Sequence, residues 1–482
     1  ASPHIAGGAI WMFQDQGILR AAKSGETPAS SHNLGLNVWP DAQHYYDSHG
    51  NQGMDGIVYS DRTPQVDYWQ VSKVYSPVQI AETGLPLKAG ANQFSVSVEN
   101  RFDFRSLDGL TLEWTLMPKS ATAQHGSQAL HTAAHAIESI AIEMPVNEGT
   151  SPNDLNWLQL RVVDAKGTSI YERNLRLRAA GTVDLAAQLA AELSPGKLSL
   201  RETVDTFVAG HRNFSAALDR ATGVLTVYDG TGRALATGFQ PHIGRRFTEG
   251  EFMRAKKELT WTNAPLKPDA KLETSAAESP DGILLRVRGR YLRSDAPEQS
   301  LEGETTLLLR ATGMIDVSYD WVPANGKGLL LEAGLEMRLP PEASQFEWVG
   351  AGPFPGYPGK DALNEFGRYQ LHRDDLNFSG NRRDVELASL TDTRDVGVLL
   401  LPGKPADIAV ERIESGTILS HNALVSGRGT KFVGPDTFIK AEAAPHLIGK
   451  FALLPMTSAM SNDSAAKAEI KPFKPYLHSY DQ

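Results

Sequence analysis

The chain has 482 residues, of which 41% are hydrophobic, a formal net charge of −10 and no cysteine. This length allows roughly three domains with ordinary globular cores. An acidic balance without a basic stripe excludes nucleic acid and anionic membranes as expected partners, and no apolar run approaches the roughly 18 residues of a membrane helix. The lack of cysteine excludes disulfides and cysteine metal sites, but it does not determine the compartment.

The first predicted element is an apolar run, HIAGGAIWMF at residues 4–13, which is short enough to form one buried strand. A polar, Gly-rich loop follows. Thr63 as N-cap and Pro64 at the first helical position then predict a helix that stops at Pro77. The apolar positions of this helix are Val66, Trp69 and Val74. One strand, one loop and one helix make a single β/α unit, whereas a β/α barrel needs eight, so residues 1–77 are predicted to be the end of a barrel that this chain cannot close alone.

Residues 78–182 are predicted to form an immunoglobulin-like β-sandwich. Apolar and polar residues alternate in four segments, which is typical of strands buried on one face. The segments are QFSVSVE (93–99), LTLEWTL (110–116), LQLRVV (158–163) and IYERNLRL (170–177).

Residues 183–199 are predicted to be a linker containing a short helix. Leu185, Leu189 and Leu193 recur at a spacing of four among alanines, and Pro195 and Gly196 end the run.

Residues 200–482 are predicted to form one large β-domain. Segments 284–290, 305–310 and 313–321 have strand patterns, and no long amphipathic helix is evident. One solvent-facing side of a strand would carry Arg286, Arg288 and Arg290. This alternation favours a solvent-exposed face of the sheet over an anion-binding site.

Several motifs resemble glycoside hydrolase family 2 β-galactosidases, in the same order along the chain. The first two are GGAIWMFQDQG (7–17) and MDGIVYSDRTP (54–64), and the others are VYSPV (74–78), ENRFDF (99–104), WVGAGP (348–353) and GNRRDV (380–385). The resemblance implies a mainly β chain: the end of a (β/α)8 catalytic barrel, an immunoglobulin-like sandwich and a galactose-mutarotase-like supersandwich. It also implies a bacterial hydrolase, periplasmic or cytoplasmic, that forms homo-oligomers.

The implied activity is retaining exo-hydrolysis of terminal β-D-galactosyl residues from oligo- or polysaccharides. This chemistry needs two carboxyl groups about 5–5.5 Å apart, and in the family both are glutamates on earlier barrel strands. Nothing in residues 1–77 matches the surroundings of either glutamate, so no catalytic residue is assigned. We expect the glutamates outside this chain, in the remaining N-terminal part of the enzyme, either covalently joined or a separate chain.

Two other functions stay open at this stage. One is a related family 2 exo-glycosidase such as a β-glucuronidase, although the large terminal domain favours a galactosidase. The other is a non-catalytic carbohydrate-binding or structural subunit that completes a partner's barrel.

Trp11 is the strongest candidate for binding the galactoside. The resemblance places it at the mouth of the barrel, where barrel active sites lie, so its ring could stack on the C–H face of a galactosyl unit. The alternative is a core tryptophan packed beneath the barrel.

The loop before Gly56 supplies the other candidates. Asp55 and His49 are expected to contact substrate, and the resemblance implies an ion held by the backbone carbonyl of Gln52 and the side chain of Asp55. An oxygen-rich loop suits a hard cation, so sodium, magnesium or calcium is expected, and no organic cofactor. The carboxylate of Asp55 could instead bind a sugar hydroxyl or cap a turn.

Structural roles are predicted for several other motif residues. Asp15 and Gln16 are expected to hydrogen-bond the barrel rim, and Asp61 and Arg62 to form an ion pair. The motif residues of the last domain, Trp348, Tyr357 and Arg368, are expected to pack the sandwich. In several family members a loop of the last domain delivers a tryptophan to the active site. The region after Leu419 of this chain contains no tryptophan, and Phe432 or Phe438 could substitute for it.

Overall fold

The computed structural model describes residues 8–25, 39–48, 53–88, 91–117, 124–145, 155–178, 184–245, 265–375, 377–427 and 439–457. The protein is mainly β, with sheets packed as sandwiches. No helix among these residues is long and apolar enough to span a membrane.

The described residues of the N-terminal part contain few regular elements. Its elements are β1 (Ile18–Ala21), β2 (His44–Asp47) and α1 (Val66–Val74). Strands β1 and β2 form an antiparallel pair, and no residue of α1 is buried.

The next part is a two-sheet sandwich. Its strands are β3 (Val78–Ile80), β4 (Gly84–Pro86), β5 (Ala91–Asn100), β6 (Thr111–Met117), β7 (Gln124–Ala129), β8 (Ile137–Pro145), β9 (Asn156–Val163) and β10 (Ser169–Arg178). One sheet has the order β3-β5-β8 and the other β4-β10-β9-β6-β7. The inward positions of both sheets, such as Val96 and Leu160, are fully buried in one apolar core. All four predicted strands are present, because their alternating side chains cover this core on one face.

A short helix, α2 (Leu185–Glu192), follows as predicted. The side chain of Asp184 accepts a hydrogen bond from Ala187 N (3.0 Å) and so caps the helix. The leucine face of α2 packs on a small apolar cluster that includes Leu399, Leu401 and Leu454.

The remaining elements form the large sandwich. They are β11 (Ser199–Glu202), β12 (Thr206–Gly210), β13 (Phe214–Asp219), β14 (Leu225–Asp229), β15 (Ala234–Ile243), β16 (Leu266–Pro268), β17 (Glu273–Ser279), β18 (Gly282–Arg293), β19 (Ser300–Leu309), β20 (Ile315–Ala324), β21 (Leu329–Leu330), β22 (Glu332–Leu339), β23 (Gln345–Gly352), β24 (Glu365–His372), β25 (Gly380–Val385), β26 (Leu387–Thr391), β27 (Gly397–Pro402), β28 (Ala406–Ile413), β29 (Gly416–Val425), β30 (Ile439–Lys440), the 3-10 helix η1 (Ala441–Ala443) and β31 (Leu447–Met456).

Two sheets enclose the main core. One has nine strands in the order β11-β12-β13-β14-β15-β22-β29-β28-β25, and the other runs β16-β18-β19-β20-β31-β27-β26-β23-β24, with β17 beside β18. Their inner faces bury one continuous cluster that includes Trp321, Leu335 and Phe451. Arg286 and Arg290 lie on the solvent-exposed face of β18, as the alternation predicts. Arg286 pairs with Glu304, and Arg290 pairs with Asp269.

The motifs of the large sandwich have packing roles. Phe346 stacks on Trp348 with ring centroids 5.0 Å apart, and both are fully buried. The buried guanidinium of Arg382 lies 4.9 Å from the Trp348 ring and donates to the carbonyl of Phe378 (3.2 Å). Arg368 pairs with Glu347, and Tyr357 is 3% exposed. These aromatic and guanidinium groups stabilise the sandwich.

The predicted barrel strand at 4–13 is wrong for its described residues, 8–13. They form no strand, and Ile10, Trp11 and Phe13 are exposed. A strand needs a neighbour along its length, and here pairing is confined to a few hydrogen bonds and one isolated bridge, Gln14 to Val58. The barrel unit is therefore not confirmed.

The predicted helix start is wrong by two residues. The helix begins at Val66 with Gln65 as N-cap. Thr63 and Pro64 belong to a turn instead: Tyr59 N donates to Thr63 O (2.8 Å), and Pro64 forms a bridge with Val58.

The buried imidazole of His421 predicts a pH-dependent stability. Its Nδ1 lies 2.9 Å from the hydroxyl of Tyr319, its ring stacks on Phe451, and burial lowers its pKa to about 4. An unfolded chain, with a His pKa of about 6.5, binds more protons in this range. The free energy of unfolding should therefore fall by about 3 kcal/mol as the pH drops from about 6.5 to about 4.

Urea unfolding at several pH values, followed by tryptophan fluorescence, checks this effect. Buried acids contribute their own pH dependence, so the measured quantity is the difference between wild type and His421→Gln, whose slope should be shallower. His446→Gln alters an exposed histidine and should keep the wild-type slope. Equal slopes for wild type and His421→Gln would contradict the prediction.

Candidate functional site

Two N-terminal segments lie side by side and bring the candidate residues together. Met12 N donates to Asp55 O (3.1 Å), Val58 N donates to Phe13 O (3.0 Å) and Asp15 N donates to Val58 O (3.0 Å). Segment 12–16 therefore lies along segment 53–58, and Trp11 lies next to the Asp55 backbone although the two residues are far apart in sequence.

The carboxylate of Asp15 holds this pairing in place. Asp15 is 5% exposed; its Oδ1 accepts from Gly56 N (2.8 Å) and its Oδ2 accepts from Gln65 Nε2 (3.1 Å). Burial raises the pKa of Asp15, and the charge of Asp55 raises it further. Asp15 thus has a structural role, since it ties both segments to the start of α1, whereas its predicted contact with a barrel rim stays a prediction.

The close approach of the two segments requires glycine at position 56. A Cβ there would lie 2.3 Å from Asp15 N, a distance that real Cβ atoms do not adopt. The glycine that follows Asp55 is therefore explained by the pairing.

The side chains beside this pairing are turned to solvent. Trp11 is 81% exposed, and Asp55 is exposed as well. A ring open on its face can stack on the C–H face of a sugar, and a neighbouring carboxylate can accept hydrogen bonds from hydroxyl groups. Ile10 and Phe13 extend the exposed apolar surface around Trp11.

The predicted cation loop is only partly described. His49 and Gln52 lie outside the described residues, so their predicted roles stay predictions. Asp41 accepts hydrogen bonds from Gln43 N and His44 N (both 2.7 Å), and Asp47 pairs with Arg20 (2.7 Å). Over the described ranges no three His, Asp or Glu residues converge as metal ligands. The carboxylate of Asp55 has the oxygen atoms that a hard cation prefers as ligands.

The predicted ion pair between Asp61 and Arg62 is not among the described ion pairs. Oδ1 of Asp61 instead accepts from Thr63 N (2.9 Å), and Arg62 adopts a left-handed φ of 73°. Both residues are used by the turn that precedes α1. Phe432 and Phe438 also lie outside the described residues.

A polar junction that no sequence motif indicates connects three parts of the chain. Glu365 on β24 contacts Lys73 of α1 and accepts from Asn174 N of β10 (2.6 Å). Nearby, Leu363 N donates to Gln70 Oε1 (3.3 Å). These contacts position α1, and with it the Trp11 segment, on both sandwiches. No sequence pattern signals them, because Lys73 and Glu365 are 292 positions apart.

Comparisons with known proteins agree with the resemblance seen in the sequence. Residues 96–178 match the family described as "Beta-galactosidase, domain 4", and residues 210–446 match the family described as "Beta galactosidase small chain". A β-galactosidase of Priestia megaterium is 22% identical over 414 residues, which cover 83% of this chain and 38% of that protein. One of Alteromonas mediterranea is 20% identical over 422 residues, covering 78% of this chain and 37% of that protein.

The chain therefore spans a little over a third of the length of these curated relatives, 38% and 37%. Among solved structures, a putative aldose 1-epimerase of Escherichia coli K12 superposes with a TM-score of 0.31 at 9% identity, covering 54% of this chain and 100% of that chain.

The Asp15 hydrogen bonds predict the effect of Asp15→Asn. Gly56 and Gln65 donate to different oxygens of Asp15, and an asparagine has an NH2 group in place of one of them, so one of the two donors would face another donor. Loss of one such buried bond weakens the pairing by about 1–3 kcal/mol. Amides of segment 53–60 should then exchange with deuterium about ten- to hundredfold faster.

Hydrogen exchange followed by mass spectrometry measures this change. Asp67→Asn, on the exposed side of α1, is the matched control and should leave segment 53–60 as in the wild type. Unchanged protection in Asp15→Asn would show that the carboxylate does not hold the segments together.

Proposed function

Since the chain belongs to the family 2 β-galactosidases, of whose C-terminal part it carries domain 4 and the small-chain domain, we propose that it completes a retaining exo-β-galactosidase. It would supply the last barrel segment and two β-domains, while the catalytic glutamates lie outside this chain. The substrate would be a terminal β-D-galactosyl residue of an oligo- or polysaccharide. The supporting observation is the hydrogen bond from Met12 N to Asp55 O, which joins the backbones of the two segments, together with the exposure of both the Trp11 and the Asp55 side chains.

Trp11 is the proposed wall of the sugar subsite. Its ring would stack on the apolar face of galactose and exclude water from the bond to be cleaved, while Asp55 accepts from sugar hydroxyls. The exposed surface formed by Trp11, Ile10 and Phe13 is apolar, as expected for a rim that the rest of a barrel covers in part.

Asp55 is also the proposed ligand of a hard cation. Its carboxylate and the backbone carbonyl of Gln52 would together hold sodium, magnesium or calcium next to the sugar. His49 would contact the substrate. Such an ion would orient sugar hydroxyls, and Asp55 would contribute the only side-chain charge of the proposed ligand pair.

Because the catalytic glutamates are proposed to lie outside this chain, we expect that the 482-residue chain alone does not hydrolyse o-nitrophenyl β-D-galactoside. The whole enzyme, which contains the upstream barrel, should hydrolyse it. A panel of aryl glycosides would then distinguish a galactosidase from a glucuronidase. Turnover by the isolated chain would contradict the proposal, and a whole protein that binds galactosides without turnover would favour a binding subunit.

Trp11→Ala in the whole enzyme should lower kcat/KM for the same galactoside by about tenfold, because stacking by an aromatic ring contributes on the order of 1 kcal/mol. Phe104→Ala removes another exposed aromatic, 98% exposed on the first sandwich, and should leave kcat/KM unchanged. Initial rates over a range of substrate concentrations measure both values. Wild-type kinetics in Trp11→Ala would favour a packing role for this residue.

A further inference from the structure

A cavity of about 420 Å³ with both polar and apolar lining lies on the nine-stranded sheet of the large sandwich. Its walls come from β15, β22, β29, β28 and β25, which are neighbours in that sheet, and all of its lining residues lie between Gln240 and Ser420. On β22, the side chains of Leu335 and Met337 pack in the core. Glu336 and Arg338 alternate with them along the strand and therefore lie on the opposite face of the sheet, where they line the cavity. The volume falls in the range of about 300–1,000 Å³ typical of small-ligand pockets.

Hydrogen-bonding side chains are already arranged along one wall of this cavity. Gln240 Nε2 donates to Glu336 Oε1 (2.9 Å), and an Arg338 nitrogen lies 3.7 Å from the same carboxylate. The Glu336 side chain is 14% exposed and lines the cavity, where its carboxylate can accept further hydrogen bonds. A ligand hydroxyl can donate to Glu336 and accept from Arg338 at once.

The deep end of the cavity holds an unsatisfied acceptor. Glu332 is 4% exposed, and its Oε2 accepts no hydrogen bond from the part of the chain that the structure describes. Arg245 Nε lies 4.0 Å away, too far for a direct hydrogen bond. Burial raises the pKa of Glu332. A buried oxygen without a hydrogen-bond partner is unfavourable, and a donor on a bound group can satisfy it.

A connected hydrogen-bond network begins at His242, which lines the cavity. His242 Nε2 lies 2.7 Å from Asn422 Oδ1, Asn422 Nδ2 donates to Asn381 Oδ1 (3.1 Å), and Asn381 Nδ2 donates to Asp407 Oδ1 (2.9 Å). Because these side chains hold one another, the cavity is organised before a ligand arrives, which reduces the entropy lost on binding.

The chemistry of the lining selects a neutral ligand that carries many hydroxyl groups. Carboxylates and guanidinium groups occur together and partly neutralise each other, so neither a phosphate nor a simple cation is favoured. The described residues also contain no cluster of three metal-ligating side chains. Half-buried apolar residues complete the lining and suit the C–H face of a pyranose: Leu266, Ile413 and Ile418.

We propose that this cavity is a second carbohydrate-binding site, which takes a neutral pyranose or a short neutral oligosaccharide. Glu336 and Glu332 accept from its hydroxyls, and Arg338 donates to them. The site would hold a sugar separately from the Trp11 surface, since no residue of segment 8–75 lines the cavity. The inference therefore does not depend on the proposed catalytic function.

Isothermal titration calorimetry of the 482-residue chain with D-galactose and with lactose tests the proposal, with inorganic phosphate as the comparison ligand. Binding of at least one sugar is expected, together with no detectable binding of phosphate. Glu336→Gln should weaken sugar binding at least tenfold, because a charged acceptor forms stronger hydrogen bonds than an amide. Glu278→Gln, on the exposed face of β17, is the matched control and should bind as the wild type does.

Two further measurements locate the bound sugar. The sugar should slow hydrogen exchange in peptides that cover β15 and β22, and Glu336→Gln should abolish this protection. Glu332→Gln should also weaken binding; if that variant does not fold, Glu336→Gln carries the test, because its side chain is partly exposed. No sugar binding, equal affinity of Glu336→Gln and wild type, preferential binding of phosphate, or protection confined to segments 8–16 and 53–58 would overturn the proposal.

Discussion

The carboxylate of Asp15 is the constraint on which the candidate sugar-binding surface depends. It accepts from the backbone of Gly56 and from the side chain of Gln65, so one buried group joins the Trp11 segment, the Asp55 segment and the start of α1. The described residues of the N-terminal part form no large apolar core of their own that could do this. Its geometry rests instead on a few hydrogen bonds that must be fully satisfied, because buried polar groups without partners are strongly destabilising.

The two sandwiches provide the rigid support for that surface. Each has a continuous apolar core, and Glu365 connects α1 to both through Lys73 and Asn174. A second set of contacts, from Arg176 and Arg178 to Glu386, joins the sandwiches to each other. A segment with little regular structure is thereby attached to elements that hold their shape, and functional groups are most accurately placed on such supports.

Sequence patterns predicted the elements whose periodicity is produced by one buried face. The alternation of residues 93–99 and the three leucines of α2 are examples, since each records which side meets a core. The apolar pattern of residues 8–13 gave a wrong prediction, because these side chains are exposed and are not packed in a core of the described residues. The helix start was also misplaced, because Thr63 and Pro64 suit a turn as well as an N-terminus. The domain boundaries at 78, 183 and 200 stay predictions.

Contacts between distant positions could not be predicted in this way. The pairing of Lys73 with Glu365, and that of Gln240 with Glu336, 96 positions apart, depend on how sheets are ordered and packed. A single charged residue in a strand carries no mark of its partner, so the junction and the cavity became visible only in three dimensions. Trp11 and Asp55 were identified by motif, whereas their adjacency follows from backbone pairing.

A structure of the whole enzyme with a bound galactoside would test the central claim most directly. The account predicts a galactosyl ring stacked on the face of Trp11, with a hydroxyl group or a bound cation within coordinating distance of the Asp55 carboxylate and the Asp15 hydrogen bonds intact. A Trp11 ring packed inside the barrel wall, with the galactosyl unit bound out of its reach, would contradict it.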